Sequence, residues 1–317
     1  MSSAVRRILC FTANRRRAAQ MANNIHLPFS GNGFILGDPS GSSIAFQSGH
    51  PASADYSEIR RLTNRPQDID DFLAEYPDLT PDLESNVNLD FYRGTGKMQP
   101  GNMAYEEFMS AFEKDYEELE LNHGYIQWLF PIREKGLNYQ SRPLQLHEIQ
   151  MMSSDRAVLA RLLRSYRMML AFYGIDFNNG HLRLTVDHLE RLFNLYHHPH
   201  NLLRITRILK CLSEFPLLKP HVPLLILFFT ALHSEGYIDL SPAPHHNMHG
   251  QSLDNWWSNC IRDQDLRTRV RRIVTERGPC AGFRWGFEQF DDWYAGCQKG
   301  WTGALGGFLD DEGTTGS

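Results

Sequence analysis

The chain has 317 residues, 42% of them hydrophobic and 22% charged, and a formal net charge of −5. That length suffices for one large domain or two small ones with a buried core, while the acid surplus argues against a general nucleic-acid binder, which carries a basic excess. The five cysteines, Cys10, Cys211, Cys260, Cys280 and Cys297, are odd in number, widely spaced and free of any CxxC pair. Neither a zinc ribbon nor a disulfide framework follows, and reduced thiols are expected.

In chain order, residues 1–37 hold no Asp or Glu but carry Arg6, Arg7, Arg15, Arg16 and Arg17. This composition is that of a mitochondrial transit peptide, a nuclear-import patch or an unstructured tail, three readings the residues leave open. A Gly/Ser/Pro-rich stretch from Gly31 to about Ala54 reads as a linker. The expected division is therefore a largely disordered segment over 1–63, a helical domain over 64–295 and a flexible tail over 296–317.

Helical periodicity fills the middle. Tyr105, Phe108, Met109, Phe112, Tyr116 and Leu119 recur at threes and fours, which predicts one helix with an acidic opposite side. A second helix is predicted from the Ser154-Asp155 cap, with the stripe Leu159, Leu162, Leu163, Tyr166, Met169, Leu170, Tyr173 and a stop at Gly174. Asn201–Phe215 aligns Leu202, Ile205, Ile208, Leu209 and Leu212 on one side and Arg204, Arg207 and Lys210 on the other, and Pro216 ends it. A fourth helix follows Pro220 and Pro223 to about Glu235, and two more are expected at Ser252–Ile261 and Asp263–Glu276. Short extended pieces are expected at Asn88–Arg93 and Tyr125–Phe130. Alternation of period two runs for only a few residues, so the fold class is all-α, a multi-helix bundle. The most apolar run, Val222 to Leu232, is about half of the roughly 20 residues a membrane crossing needs.

Catalytic signatures fail at required positions. Leu36 stands at the third glycine of a dinucleotide fingerprint, Phe91 and Met98 spoil a phosphate loop around Gly96-Lys97, and Met151 replaces the second histidine after His147-Glu148. Two histidine groups, His197/His198/His200 and His245/His246/His249, have no Cys or acid beside them in sequence and read as solvated polar loops, so no metal or cofactor site is assigned. The stripe Arg204/Arg207/Lys210 reads as a solvated helix face or as internal pairs with the acidic helix. Its guanidinium forks also suit a ligand carboxylate or phosphate. The run from His123 to Arg133 packs aromatic and amide groups ahead of Pro131. It suits a pocket wall or a core corner, and composition favours the core.

The string Asn122 to Arg133, NHGYIQWLFPIR, resembles the hallmark of the opioid growth factor receptor conserved region. Tyr76-Pro77-Asp78-Leu79 and Asn88 to Arg93 precede it in the family's order. Gly136-Leu137-Asn138, Arg142-Pro143-Leu144, Met169 to Ile175, Asn201 to Lys210 and Phe283 to Gly286 follow it. The resemblance covers roughly three quarters of the chain. It implies a helical receptor of the nucleus or cytoplasm, at most peripherally membrane-associated, that binds an enkephalin-type pentapeptide and restrains proliferation. It brings no catalytic residues. The family's acidic Pro-rich repeats are missing here, as is a Lys/Arg-rich nuclear signal after Trp285.

Two function classes are carried forward. In the first, a short peptide or small ligand enters beside the 123–133 corner, with His123, Tyr125, Gln127, Trp128 and Asn138 lining the site and Arg133, Arg204 and Arg207 meeting a terminal carboxylate. In the second, the same corner is an active site with His123 as acid or base. A protein-interaction scaffold using the charged helix faces is a third reading.

Overall fold

A computed structural model describes residues 65–240, 252–275 and 285–297. These residues are mainly helical, and they include one two-stranded sheet. The basic N-terminal segment, the His245/His246/His249 loop and all but the first two residues of the predicted tail lie outside the described residues.

The chain opens with α1 (Gln67–Leu73) and α2 (Val87–Arg93). The second of these was expected to be extended. It is helical because Asn88, Leu89, Phe91 and Tyr92 all find cover, and Gly94 at φ 81° supplies the left-handed stop. The predicted helix from Tyr105 is in fact two, α3 (Tyr105–Phe112) and α4 (Tyr116–Leu121). Asp115 breaks the ladder and caps the second, its Oδ1 accepting from Glu118 N at 3.0 Å. The apolar period runs through the break because Tyr105, Phe108, Met109 and Leu119 are all buried. The second expected extended piece is also helical, a single turn α5 (Ile126–Leu129).

Next come α6 (Leu146–Ser154) and α7 (Arg156–Phe172). Asp155 caps α7 as predicted, accepting from Ala157 N and Val158 N. The stripe from Leu159 to Leu170 is buried along it, and Gly174 turns the chain at φ 79°. The chain then forms a hairpin of β1 (Ile175–Asn178) and β2 (His181–Leu184), antiparallel with Asp176 opposite Arg183. Its turn is Asn179-Gly180, with φ 49° and 79°, positive at both positions as a two-residue hairpin of this hand requires. Helical periodicity does not anticipate this hairpin; its signal is the Asn-Gly pair between short apolar runs.

Next come α8 (His188–His197), α9 (His200–Glu214) and α10 (His221–Ser234). Pro223 is tolerated in α10 because it lies in the first turn, where backbone N–H groups have no helical partner. Ser252–Trp256 and Trp257–Asn259 form a π turn and a 3-10 turn in place of the predicted helix, followed by α11 (Gln264–Thr275) and α12, residues 287–297. One core runs from Ile69 to Tyr294, and α10 is covered nearly all round. Buried indoles find partners there: Trp257 Nε1 donates to Thr206 Oγ1 at 3.1 Å and Trp285 Nε1 to Leu227 O at 3.0 Å. No helix among the described residues is long and apolar enough to cross a membrane.

Candidate functional site

The cations of α9 organise the region that the sequence singles out. Arg204, Arg207 and Lys210 are each three residues apart, so they rise along one side of the helix. That side is not solvated. Arg204 is 4% exposed and Lys210 2%, because α9 is enclosed on the side opposite its apolar stripe by three other segments. Arg204 donates to Leu119 O and Asn122 O, both at 2.9 Å, to Asn201 Oδ1 at 3.1 Å and to Glu120 O at 3.4 Å. It closes off the carbonyls left at the end of α4, as a helix C-terminus requires. Arg207 Nε donates to Phe130 O at 2.7 Å. Lys210 Nζ meets Asp68 Oδ2 at 2.8 Å and Glu134 Oε1 at 2.6 Å. Burial works against the Lys210 charge, but Glu134 and Asp68 outweigh it and hold the ammonium above its ordinary range.

The aromatic corner is correspondingly filled. Tyr125 is buried, its hydroxyl donating to Leu119 O at 3.0 Å and its ring lying against Phe108 and beneath the Arg204 guanidinium. Trp128 is buried edge-on to Phe91, with Nε1 donating to Gln99 O at 2.8 Å. Gln127 Oε1 accepts from Asn138 N at 3.2 Å and Ser141 Oγ at 2.9 Å. Asn138 Nδ2 donates to Gln99 O at 2.8 Å and Gly124 O at 3.3 Å. Of the two sequence readings of this run, the structure gives the core corner. Tyr125, Gln127, Trp128 and Asn138 hold it together, and Arg204 is committed to main-chain carbonyls rather than free for a ligand carboxylate.

Of the eight sequence candidates, Tyr125, Gln127, Trp128 and Arg204 are buried, whereas His123, Arg133, Asn138 and Arg207 keep some exposure. His123 is exposed and stands edge-on to His200, ring centroids 4.7 Å apart. Arg133 is half-buried, donates to Glu75 O at 2.8 Å and lies 5.3 Å from the Tyr76 ring centre. Arg207 keeps partial exposure, and no carboxylate among the described residues lies within ion-pair distance of it. Burial pulls its guanidinium down to about 10, only partly offset by Cys211 and Glu134. An enclosed cation without its own counter-ion is costly, which marks Arg207 as the member of the set that an anion would best satisfy.

Sequence reasoning missed the polar frame around these arginines. Tyr76 donates to Glu134 Oε1 at 2.7 Å, and burial together with Glu134 raises its hydroxyl well above the usual range. Glu214, pushed up by burial, meets Arg262 Nη2 at 2.6 Å, and Arg262 lies 4.1 Å from the Phe72 ring centre. Tyr76 carried a signal as the first residue of the Tyr76–Leu79 string, and Glu134 as the acid directly after the Asn122–Arg133 string. The others come from remote parts of the chain.

Residues 82–290 match the family model described as the opioid growth factor receptor conserved region. The opioid growth factor receptor of Mus musculus is 42% identical over 168 residues, 51% of this chain and 26% of the relative. Opioid growth factor receptor-like protein 1 of Xenopus tropicalis is 38% identical over 226 residues, 69% of this chain and 43% of the relative. Its counterpart in Rattus norvegicus is 33% identical over 225 residues, 69% and 47% respectively. The chain thus spans less than half the length of these relatives. No solved structure matches. The two strings that carry the resemblance are joined by Arg204 and Arg207, and with the match over 82–290 the chain belongs to the opioid growth factor receptor family.

Proposed function

We propose that this protein is a receptor-type binding protein whose ligand is a short opioid-type peptide, received through its terminal carboxylate at Arg207 and Arg133. The observation that carries the reading is Arg207, an enclosed guanidinium that among the described residues has one hydrogen bond, to a main-chain carbonyl, and no carboxylate at ion-pair distance. Arg133 lies on the same string, three residues after Phe130, whose carbonyl Arg207 holds. The Tyr76 ring beneath Arg133 adds an aromatic surface. The planar donor fork of a guanidinium suits a carboxylate better than an ammonium does. The name of the relatives supports the peptide class.

Calorimetric titration of the full chain with an enkephalin-type pentapeptide and with its C-terminal amide tests this. The free acid is expected to bind at least about tenfold tighter, one charge-assisted contact being worth ~1.5 kcal/mol or more. Arg133→Gln is expected to erase that preference. Folded protein that gives no heat with either peptide at high micromolar concentration overturns the proposal; equal binding of acid and amide overturns the carboxylate role.

A further inference from the structure

A second group of cations lies where the start of α1, the 257–262 turn and α11 meet. Arg262 Nη1 donates to Phe72 O, and Trp256 Nε1 to Asp68 Oδ1 at 3.3 Å, which seats the turn against α1. From α11, two arginines reach back over the same turn. Arg267 Nη1 donates to Ile261 O at 2.6 Å and to Arg262 O at 2.9 Å, and Arg271 Nη1 donates to Asn259 Oδ1. Four positions apart, they share one side of the helix, where like charges repel. Arg65, two residues ahead of α1, brings a third guanidinium, whose Nε donates to Asp70 Oδ1 at 2.9 Å. All three side chains are half-buried. No carboxylate among the described residues lies within ion-pair distance of Arg267 or Arg271. Burial, then the charge of Arg65, pulls both guanidinium groups below their ordinary range, and Arg271 adds to the effect on Arg267. Asp263 beside Arg267 and Asp254 beside Arg271 offset this only in part.

We propose that Arg65, Arg267 and Arg271 form a binding site for a phosphate group, held by the guanidinium nitrogens that their protein partners leave unused. Arg267 and Arg271 each spend one nitrogen on the turn, so both keep further N–H donors in a fixed orientation. Planar forks of this kind match the oxygens of a phosphate two at a time. Phosphate also fits the charge: three neighbouring cations, one of them shared with Asp70, repel one another until a multivalent anion enters. A carboxylate supplies one charge and two oxygens, too few for three forks. Arg269 is exposed and falls ~200° round the helix from both Arg267 and Arg271, so it adds charge to α11 without joining the site. The site is independent of Arg133 and Arg207, which stand on other segments and bond to other carbonyls. It is not sequence-local either, because Arg65 reaches α11 only once Arg262 and Trp256 have fastened the turn to α1.

The experiment titrates the purified full chain with inorganic phosphate and with phenyl phosphate by calorimetry, the ionic strength held constant with sodium chloride. Saturable binding of one equivalent is expected. Arg271→Gln and Arg65→Gln are each expected to weaken it at least ~10-fold, the loss of one charge-assisted contact. Arg65→Gln keeps the test readable if Arg271→Gln loses its fold by circular dichroism. Arg269→Gln and Arg133→Gln are expected to leave the affinity unchanged, which separates this site from the one proposed for a peptide carboxylate. Binding of phenyl phosphate marks an esterified phosphate as the ligand, and binding of the inorganic ion alone marks a free one. No saturable heat with either probe at high millimolar concentration overturns the site. So does binding that Arg133→Gln abolishes while Arg65→Gln and Arg271→Gln retain it.

Discussion

Replacing Arg204 by Met tests whether the α9 cations are the clamp that holds the signature corner. The side chain is 4% exposed and makes three hydrogen bonds of 2.9–3.1 Å plus one of 3.4 Å. Bonds from a charged donor contribute ~1.5–3 kcal/mol each, and the carbonyl of Leu119 would keep only the Tyr125 hydroxyl as a donor. Met keeps an unbranched apolar stem but loses the guanidinium that stands over the Tyr125 and Phe172 rings, so the loss is mainly polar. The net cost is expected to be about 3–4 kcal/mol, within the range for removing one partner of a buried charged group. Arg207→Met removes a single bond and relieves an enclosed charge, so it is expected to cost about 1 kcal/mol or less. Urea unfolding of the full chain, followed by tryptophan fluorescence and circular dichroism, measures both. A cost below about 1 kcal/mol for Arg204→Met at unchanged slope, or a larger cost for Arg207→Met, would refute the clamp.

Gly136→Ala would place a Cβ 1.6 Å from Gln127 Oε1, so the Gln127 contacts to Asn138 and Ser141 must break. A loss of ~2 kcal/mol is expected in urea unfolding, largely absent when Gly136→Ala is made in a Gln127→Ala background. His221 is buried between Tyr166 and Phe177, and burial, with Arg167 nearby, lowers its imidazole to about 4. Unfolded, the ring titrates near ~6.5, so the unfolded chain takes up the proton first. Stability should therefore fall as the pH drops from about 6.5 to about 4, by ~3 kcal/mol in all. Thermal unfolding of His221→Phe should have a flatter pH profile over that window; an identical profile rules the account out. Asp155→Ala removes the side-chain acceptor for Ala157 N and Val158 N and should cost ~1 kcal/mol in urea unfolding.

Much of the helical layout was legible before any coordinates, for a local reason. Asp155 as a cap, the Leu159–Leu170 stripe, the Gly174 stop and the helix after Pro220 each depend on residues within a few positions of one another. The misreadings are also local. Asn88–Arg93 and Tyr125–Phe130 hold aromatic and β-branched residues that suit strands, but neither has a neighbouring strand to pair with, and each is helical instead. The Asn179-Gly180 hairpin was passed over because its strands are four residues long and β2 buries only one side chain fully.

Chain order and residue type alone were enough for the mainly helical architecture, the failed catalytic motifs and the family, since all three are patterns of spacing. They also named the residues that meet at the corner. Whether those residues face outward or inward was decided by packing: a helix's polar side has no fixed environment until other segments cover it. α9 shows this directly, with Arg204 and Lys210 sealed against carbonyls and carboxylates 76–142 positions away in some cases, while Arg207 beside them makes one main-chain bond among the described residues. Glu120 and His200 likewise become neighbours only when α4 ends beneath the start of α9, because the bonds that set their 2.6 Å contact cross from one segment to another.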